Sequence, residues 1–206
     1  MASQFEPTVG ERASPGGPAV DRRGPQQQRR IEMLADIAER LLAGEDLDTQ
    51  VMPALTRALS DERILDASLG YIITDLEEGM KLGFMEGFDS EVIQRCLRLD
   101  FGQAICGTVA ATGQAMHVTD IQRSFDPISE LVRGAGINAY ACEPLIIGGR
   151  LLGTLSFASR NRRRFDPEDL HFFKAIARLV ARARERNRSG KGRKPAGKDR
   201  VLETSD

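Results

Sequence analysis

Asn138-Ala139-Tyr140-Ala141-Cys142-Glu143-Pro144-Leu145-Ile146-Ile147 and Leu151-Leu152-Gly153-Thr154-Leu155-Ser156-Phe157, joined by Gly148-Gly149-Arg150, carry the strongest structural signal in the chain. Both runs are β-prone, and the paired glycines accept the positive φ of a tight turn, so the order predicts a hairpin and an antiparallel sheet. Upstream, Gly102 and Gly107 bracket a short apolar helix start that Val109, Ala110 and Ala111 continue to a glycine C-cap at Gly113. Ala115 to Val118 then reads as a short strand. Asp126-Pro127 opens a small helix through Glu130, Leu131 and Val132.

Towards the N-terminus, Ile31, Leu34, Ala38 and Leu41 recur at helical spacing, which predicts an amphipathic helix ending at Gly44. A second helix is expected with Asp48 as its cap, Pro53 near its start, and Val51, Leu55 and Leu59 on one face. Ser68 to Thr74 and Met80 to Met85 read as strands joined by the turn-forming Asp75-Leu76-Glu77-Glu78-Gly79. Asp89 or Ser90 caps a short helix to about Leu97. The last helix begins with Asp166 at N-cap, Pro167 at the first helical position, and Glu168 and Asp169 at the positive end of its dipole. Its apolar stripe is Leu170, Phe173, Ile176, Ala177 and Val180. Phe172 and Leu179 lie outside that stripe, giving more apolar width than one sheet face needs and suggesting a dimer.

The 206 residues suffice for one well-buried domain plus tails, and 41% hydrophobic with 29% charged is an ordinary soluble composition. No apolar run approaches the roughly 20 residues that span a bilayer, and the N-terminus lacks the apolar segment of a secretory signal. A cytoplasmic protein without membrane attachment is therefore expected. Three cysteines without a Cys-x-x-Cys pair argue against a disulfide framework and a structural zinc site. The net charge of -1 gives no overall field that would steer the chain to nucleic acid. From Arg182 to Arg200 the balance is basic, with Arg182, Arg184, Arg186, Arg188, Lys191, Arg193, Lys194, Lys198 and Arg200 facing only Glu185 and Asp199. This run lacks the interleaved aromatics that stack on bases, and is expected to be a solvated extension. The organisation expected is a disordered tail over residues 1–29, a domain over 30–187, and a disordered basic tail over 188–206.

Ala141-Cys142-Glu143-Pro144-Leu145 before the glycine turn and Leu152-Gly153-Thr154-Leu155 after it resemble the GAF domain family. The resemblance extends to Arg164-Phe165-Asp166-Pro167-Glu168-Asp169-Leu170 and covers roughly residues 31 to 187. It implies an α+β fold with a central antiparallel sheet and helices on both faces. One face would meet the terminal helices, which in this family commonly pair with a second subunit and pass on a signal. The other would hold a pocket closed by loops between about Gly87 and Gly136. The implied role is a stand-alone module that senses a small molecule or redox state, works as a homodimer, and reports to a signalling partner such as a kinase or regulator.

Family ligands include cyclic nucleotides, bilins, haem and 2-oxo acids, and the residues leave this chain's cofactor unknown. The cyclic-nucleotide signature is absent, and no histidine adjoins a cysteine as bilin attachment requires. His117 and His171 are too sparse for a metal site. Phe101, Phe125 and Tyr140 are candidate apolar walls for a ligand, with Asp120 and Arg133 as polar contacts, Arg133 and Asn138 flanking Gly134-Ala135-Gly136. Cys106, near a helix N-terminus where amides and dipole favour a thiolate, and Cys142, on a strand, complete the candidate site. Alternation puts Cys142 on the face of Tyr140, towards the pocket or into the core. Cys96 reads as a small buried hydrophobe. The free methionine-R-sulfoxide reductases resemble this chain in placing a cysteine in a Gly-x-Cys-Gly segment, which makes Cys106 the catalytic candidate of an alternative enzymatic reading. Their further cysteine in the following loop has no counterpart between Gly107 and Ala141. A dimerisation module whose pocket is filled by side chains is the third reading.

Overall fold

A computed structural model describes residues 23–73 and 79–191, with side chains over 24–73 and 79–187. In chain order the elements are α1 (Arg23–Ala43), a π turn (Leu47–Val51), α2 (Met52–Asp61), β1 (Ala67–Ile73), β2 (Met80–Glu86), α3 (Ser90–Cys96), β3 (Arg98–Leu99), α4 (Ala104–Thr112), β4 (Met116–Val118), two 3-10 turns (Ile121–Arg123, Pro127–Ser129), α5 (Glu130–Gly134), β5 (Ala139–Ile147), β6 (Arg150–Ser159) and α6 (Pro167–Lys191). The strands form one sheet in the order β3-β2-β1-β6-β5-β4, every pair antiparallel.

The β5–β6 hairpin turns at Gly148 and Gly149, both at positive φ (55° and 78°), as the sequence requires. Side-chain alternation along these strands divides the interior in two. Ala139, Ala141, Leu145, Leu155 and Phe157 join a core with α1, α2 and α6. Tyr140, Cys142 and Ala158 join a second core with Cys96, Ile105, Cys106, Val109 and Val132 from α3, α4 and α5. With both faces covered, β5 is buried from Ala139 to Glu143, so its pattern in sequence is a continuous run without polar alternation.

Gly153 and Gly107 are among the glycines that set close approaches. A Cβ on Gly153 would lie 1.9 Å from the Tyr71 carbonyl oxygen across the β1–β6 pair, and one on Gly107 would lie 2.3 Å from the Asp100 carbonyl oxygen. Gly113 ends α4 in the left-handed conformation, φ 68°, with its N–H donating to the Val109 carbonyl.

Several expectations change. The helix expected from about Ile31 begins at Arg23, so residues 23–29 are helical; the rest of the expected N-terminal tail, the turn at 74–78 and residues 192–206 lie outside the described residues. On α1 Ile31 and Leu42 are exposed, whereas Arg30, Ile37 and Leu41 are buried. The helix is rotated so that Arg30 reaches Asp169, and a second Asp169 oxygen takes Arg162 at 2.7 Å. Asp169 also accepts from the Asp166 N–H, closing the N-terminus of α6 as the acid of a capping box. Asp46, and not Asp48, caps the second helical segment through the N–H groups of Asp48 and Thr49. Asp48 instead holds Arg184 of α6. Arg184 is therefore docked against the first helices, and Arg186 donates to the Leu41 carbonyl, so neither belongs to a solvated extension. The extra apolar width of α6 is partly used within the chain: Phe172 is buried under the Arg30 guanidinium, 5.8 Å from its ring centroid. No helix among the described residues is long and apolar enough to cross a membrane.

Candidate functional site

Between the sheet and helices α3 to α5 lies a small cavity with about 20 Å³ of free space, room for one water-sized molecule. Tyr71 and Tyr140 rise into it from the sheet, Cys96 closes one end from α3, Ala104 to Cys106 border it from α4, and Leu131 and Val132 cover it from α5. Among the described residues no charged side chain borders it. The Tyr71 hydroxyl donates to the Cys96 carbonyl at 2.9 Å, which leaves the Tyr140 hydroxyl and the Cys96 and Cys106 thiols as its reactive polar groups.

Cys106 sits in the first turn of α4. The residue that opens that helix, Ala104, is held at φ 52°, a left-handed conformation unusual for a residue with a Cβ, and it borders the cavity. The Cys106 sulfur is 3.1 Å from Tyr140 Oη and 3.3 Å from Ser156 Oγ. Cys142 is directly opposite Ser156 in the β5–β6 register and belongs to the same buried cluster as Cys106. This converging set lowers the pKa of Cys106 below the ordinary thiol range, first through the Cys142 thiol and then, against the opposing effect of burial, through the Ser156 and Tyr140 hydroxyls. Burial pushes Cys142, Cys96 and the two tyrosines up. One thiol of three is thus favoured to ionise. The profile of the GAF domain family matches residues 49–185.

The chain belongs to the GAF domain family. It is 25% identical over 115 residues to Protein YtsP of Bacillus subtilis (strain 168), spanning 55% of this chain and 66% of that protein. It is 29% identical over 131 residues to the free methionine-R-sulfoxide reductase of Escherichia coli (strain K12), spanning 63% of this chain and 73% of that protein. Its structure is similar to the GAF domain from a phosphoenolpyruvate-protein phosphotransferase of Coxiella burnetii, with a TM-score of 0.67, 21% identity, and 80% and 98% of the two chains covered. It is also similar to free methionine-R-sulfoxide reductase from Neisseria meningitidis in complex with its substrate, with a TM-score of 0.64, 20% identity, and 80% and 93% covered. At these identities the structural likeness establishes the fold.

Within this GAF domain the candidate residues separate. Cys106 and Tyr140 border the cavity, and Cys142 lies behind them, resolved to the cavity side of the sheet. Phe101 is half-buried against the same core without reaching the cavity. Phe125 is 95% exposed on its loop and forms no wall. Asp120, itself in a left-handed conformation, pairs with Arg163, and Arg133 donates to the Ser124 carbonyl at 2.7 Å. Both bind loops together, away from the cavity. His117, on β4, pairs with Ala141 of β5 and places Nε2 2.8 Å from Oε1 of the buried Glu143, on the sheet face opposite the cavity. His171 is exposed on α6. Tyr71, Ser156 and the cavity position of Cys96 were missed. Tyr71 lies in an apolar strand run whose hydroxyl could have signalled a buried polar partner.

Proposed function

We propose that this GAF domain is a sensory module that reads a small molecule or redox state at the Cys106 cavity and relays it through α1 and α6 to a signalling partner, the chain acting as a dimer. The observation supporting the reading is the two-sided role of β6. On one face Ser156 touches the Cys106 sulfur. Its neighbour Phe157, on the other face, stacks on Phe173 of α6 with centroids 4.1 Å apart. A shift of β6 that accommodates a change at Cys106 moves the ring against which α6 is packed. A native mass spectrum of the untagged protein purified under reducing conditions tests the proposal. A dimer, carrying a discrete extra mass where a ligand is resident, is the expected result; a clean, ligand-free monomer contradicts both the dimer relay and a resident ligand.

A second reading, a free methionine-R-sulfoxide reductase, draws support from Cys96 and Cys106 bordering one cavity and from the name of the Escherichia coli relative. Free methionine sulfoxide carries an ammonium and a carboxylate, and among the described residues the uncharged lining of this cavity offers a counter-charge to neither. That difference favours the sensor. Thiol-dependent turnover of methionine-R-sulfoxide that Cys106→Ser abolishes would reverse the preference.

A further inference from the structure

We propose that Cys106 and Cys142 form a buried redox pair that a small hydroperoxide, hydrogen peroxide in the simplest case, converts to a disulfide joining α4 to β5. The inference deepens the sensory reading by naming an input. The disulfide is read in the isolated chain and the relay at the terminal helices, so either can fail without the other.

The geometry carries it. Cys106 stands over β5 and β6 with its sulfur within hydrogen-bond distance of Tyr140 and Ser156. Cys142 is two residues from Tyr140 on the same face and faces Ser156 in register. Helix α4 and strand β5, far apart in sequence, thus set Cys106 and Cys142 against the same residue, Ser156, within one buried cluster, and both cysteines are free thiols. The site also discriminates by size. Cys106 alone of this pair borders the cavity, and about 20 Å³ of free space beside it admits an oxidant near the size of water while excluding bulky ones. Cys142, fully buried behind it, is placed to resolve the product and not to meet the oxidant first.

The chemistry balances with the hydroperoxide as the oxidant. The Cys106 sulfur attacks the terminal peroxide oxygen; the S–O bond forms, the O–O bond breaks, and the leaving oxygen takes the Cys106 proton and departs as water or an alcohol. Cys142 then attacks the sulfenic sulfur; the S–S bond forms, the S–O bond breaks, and the leaving hydroxide takes the Cys142 proton as water. Two thiols lose two electrons and the peroxide gains them. The Tyr140 and Ser156 hydroxyls lie within reach of the Cys106 sulfur to donate to the departing oxygen.

The test is intact-mass and peptide mapping of the reduced full chain after a stoichiometric dose of hydrogen peroxide, with cumene hydroperoxide as the bulky comparison. Wild type and Cys96→Ser are expected to lose about 2 Da, with the linkage mapped to Cys106 and Cys142; Cys142→Ser is expected to gain about 16 Da at Cys106 instead. Cumene hydroperoxide is expected to react at least tenfold more slowly. Circular dichroism confirms that each variant is folded. A linkage between Cys96 and Cys106, a wild type that only gains oxygen, or a mass unchanged at a dose that oxidises free cysteine overturns the proposal.

Discussion

Phe157 of β6 and Phe173 of α6 stack face to face, with ring centroids 4.1 Å apart and planes 10° from parallel. Phe165 meets Phe173 edge-on at 5.0 Å, so Phe173 is the point where the sheet, the loop before α6 and α6 itself converge. Removing it as Phe173→Ala takes away a fully buried ring and leaves a cavity, a loss of about 3–5 kcal/mol in urea unfolding. A loss below about 1 kcal/mol would mean that the stack does not anchor α6.

Asp169 anchors the same helix by charge. It is fully buried, receives both Arg30 and Arg162, and caps the Asp166 N–H. Asp169→Ala strands the buried Arg30 guanidinium, and a loss of about 3–5 kcal/mol in chemical denaturation is expected. A variant as stable as wild type would show that α1 does not depend on this contact.

Gly153 has no room for a side chain, because the obstacle is backbone and cannot swing aside. Gly153→Ala is expected to destabilise by about 3 kcal/mol or to prevent folding, measured by thermal and urea unfolding. An unchanged melting temperature would contradict the β1–β6 register at this position.

What the sequence disclosed was the chemistry that acts locally. Gly148-Gly149 and Asp166-Pro167 each specify their own turn or cap within a few residues, and both are where they were expected. Asp46 caps the second helical segment while Asp48, two residues on, holds Arg184, 136 residues away, a contact no local pattern discloses. Cys142 could not be assigned a face because β5 is buried on both. Cys106 and Tyr140, from the glycine-flanked helix start and the strand alternation, were legible as residues that border the cavity. Phe125 was not, since nothing in a loop's composition says whether its aromatic turns in or out.

The hydrogen bonds around Cys106 give its reactivity a pH signature. As pH rises the sulfur loses its proton, and because the Cys142 thiol, Ser156 and Tyr140 stabilise the thiolate, the rise falls below the pH of a free thiol, about 8.5. The rate of hydrogen peroxide consumption from pH 6 to 9 checks this. Cys142→Ala and Ser156→Ala, each removing one donor, are expected to move the midpoint upward. A midpoint at or above the free-thiol value in wild type would contradict the arrangement.

Amide hydrogen exchange of the reduced and peroxide-treated protein reads whether a change at Cys106 reaches α6. Altered protection is expected in Pro167–Lys191 as well as in β6, with the change in α6 lost in Cys106→Ser. Altered protection confined to α4 and β5, with α6 identical in both states, would contradict it.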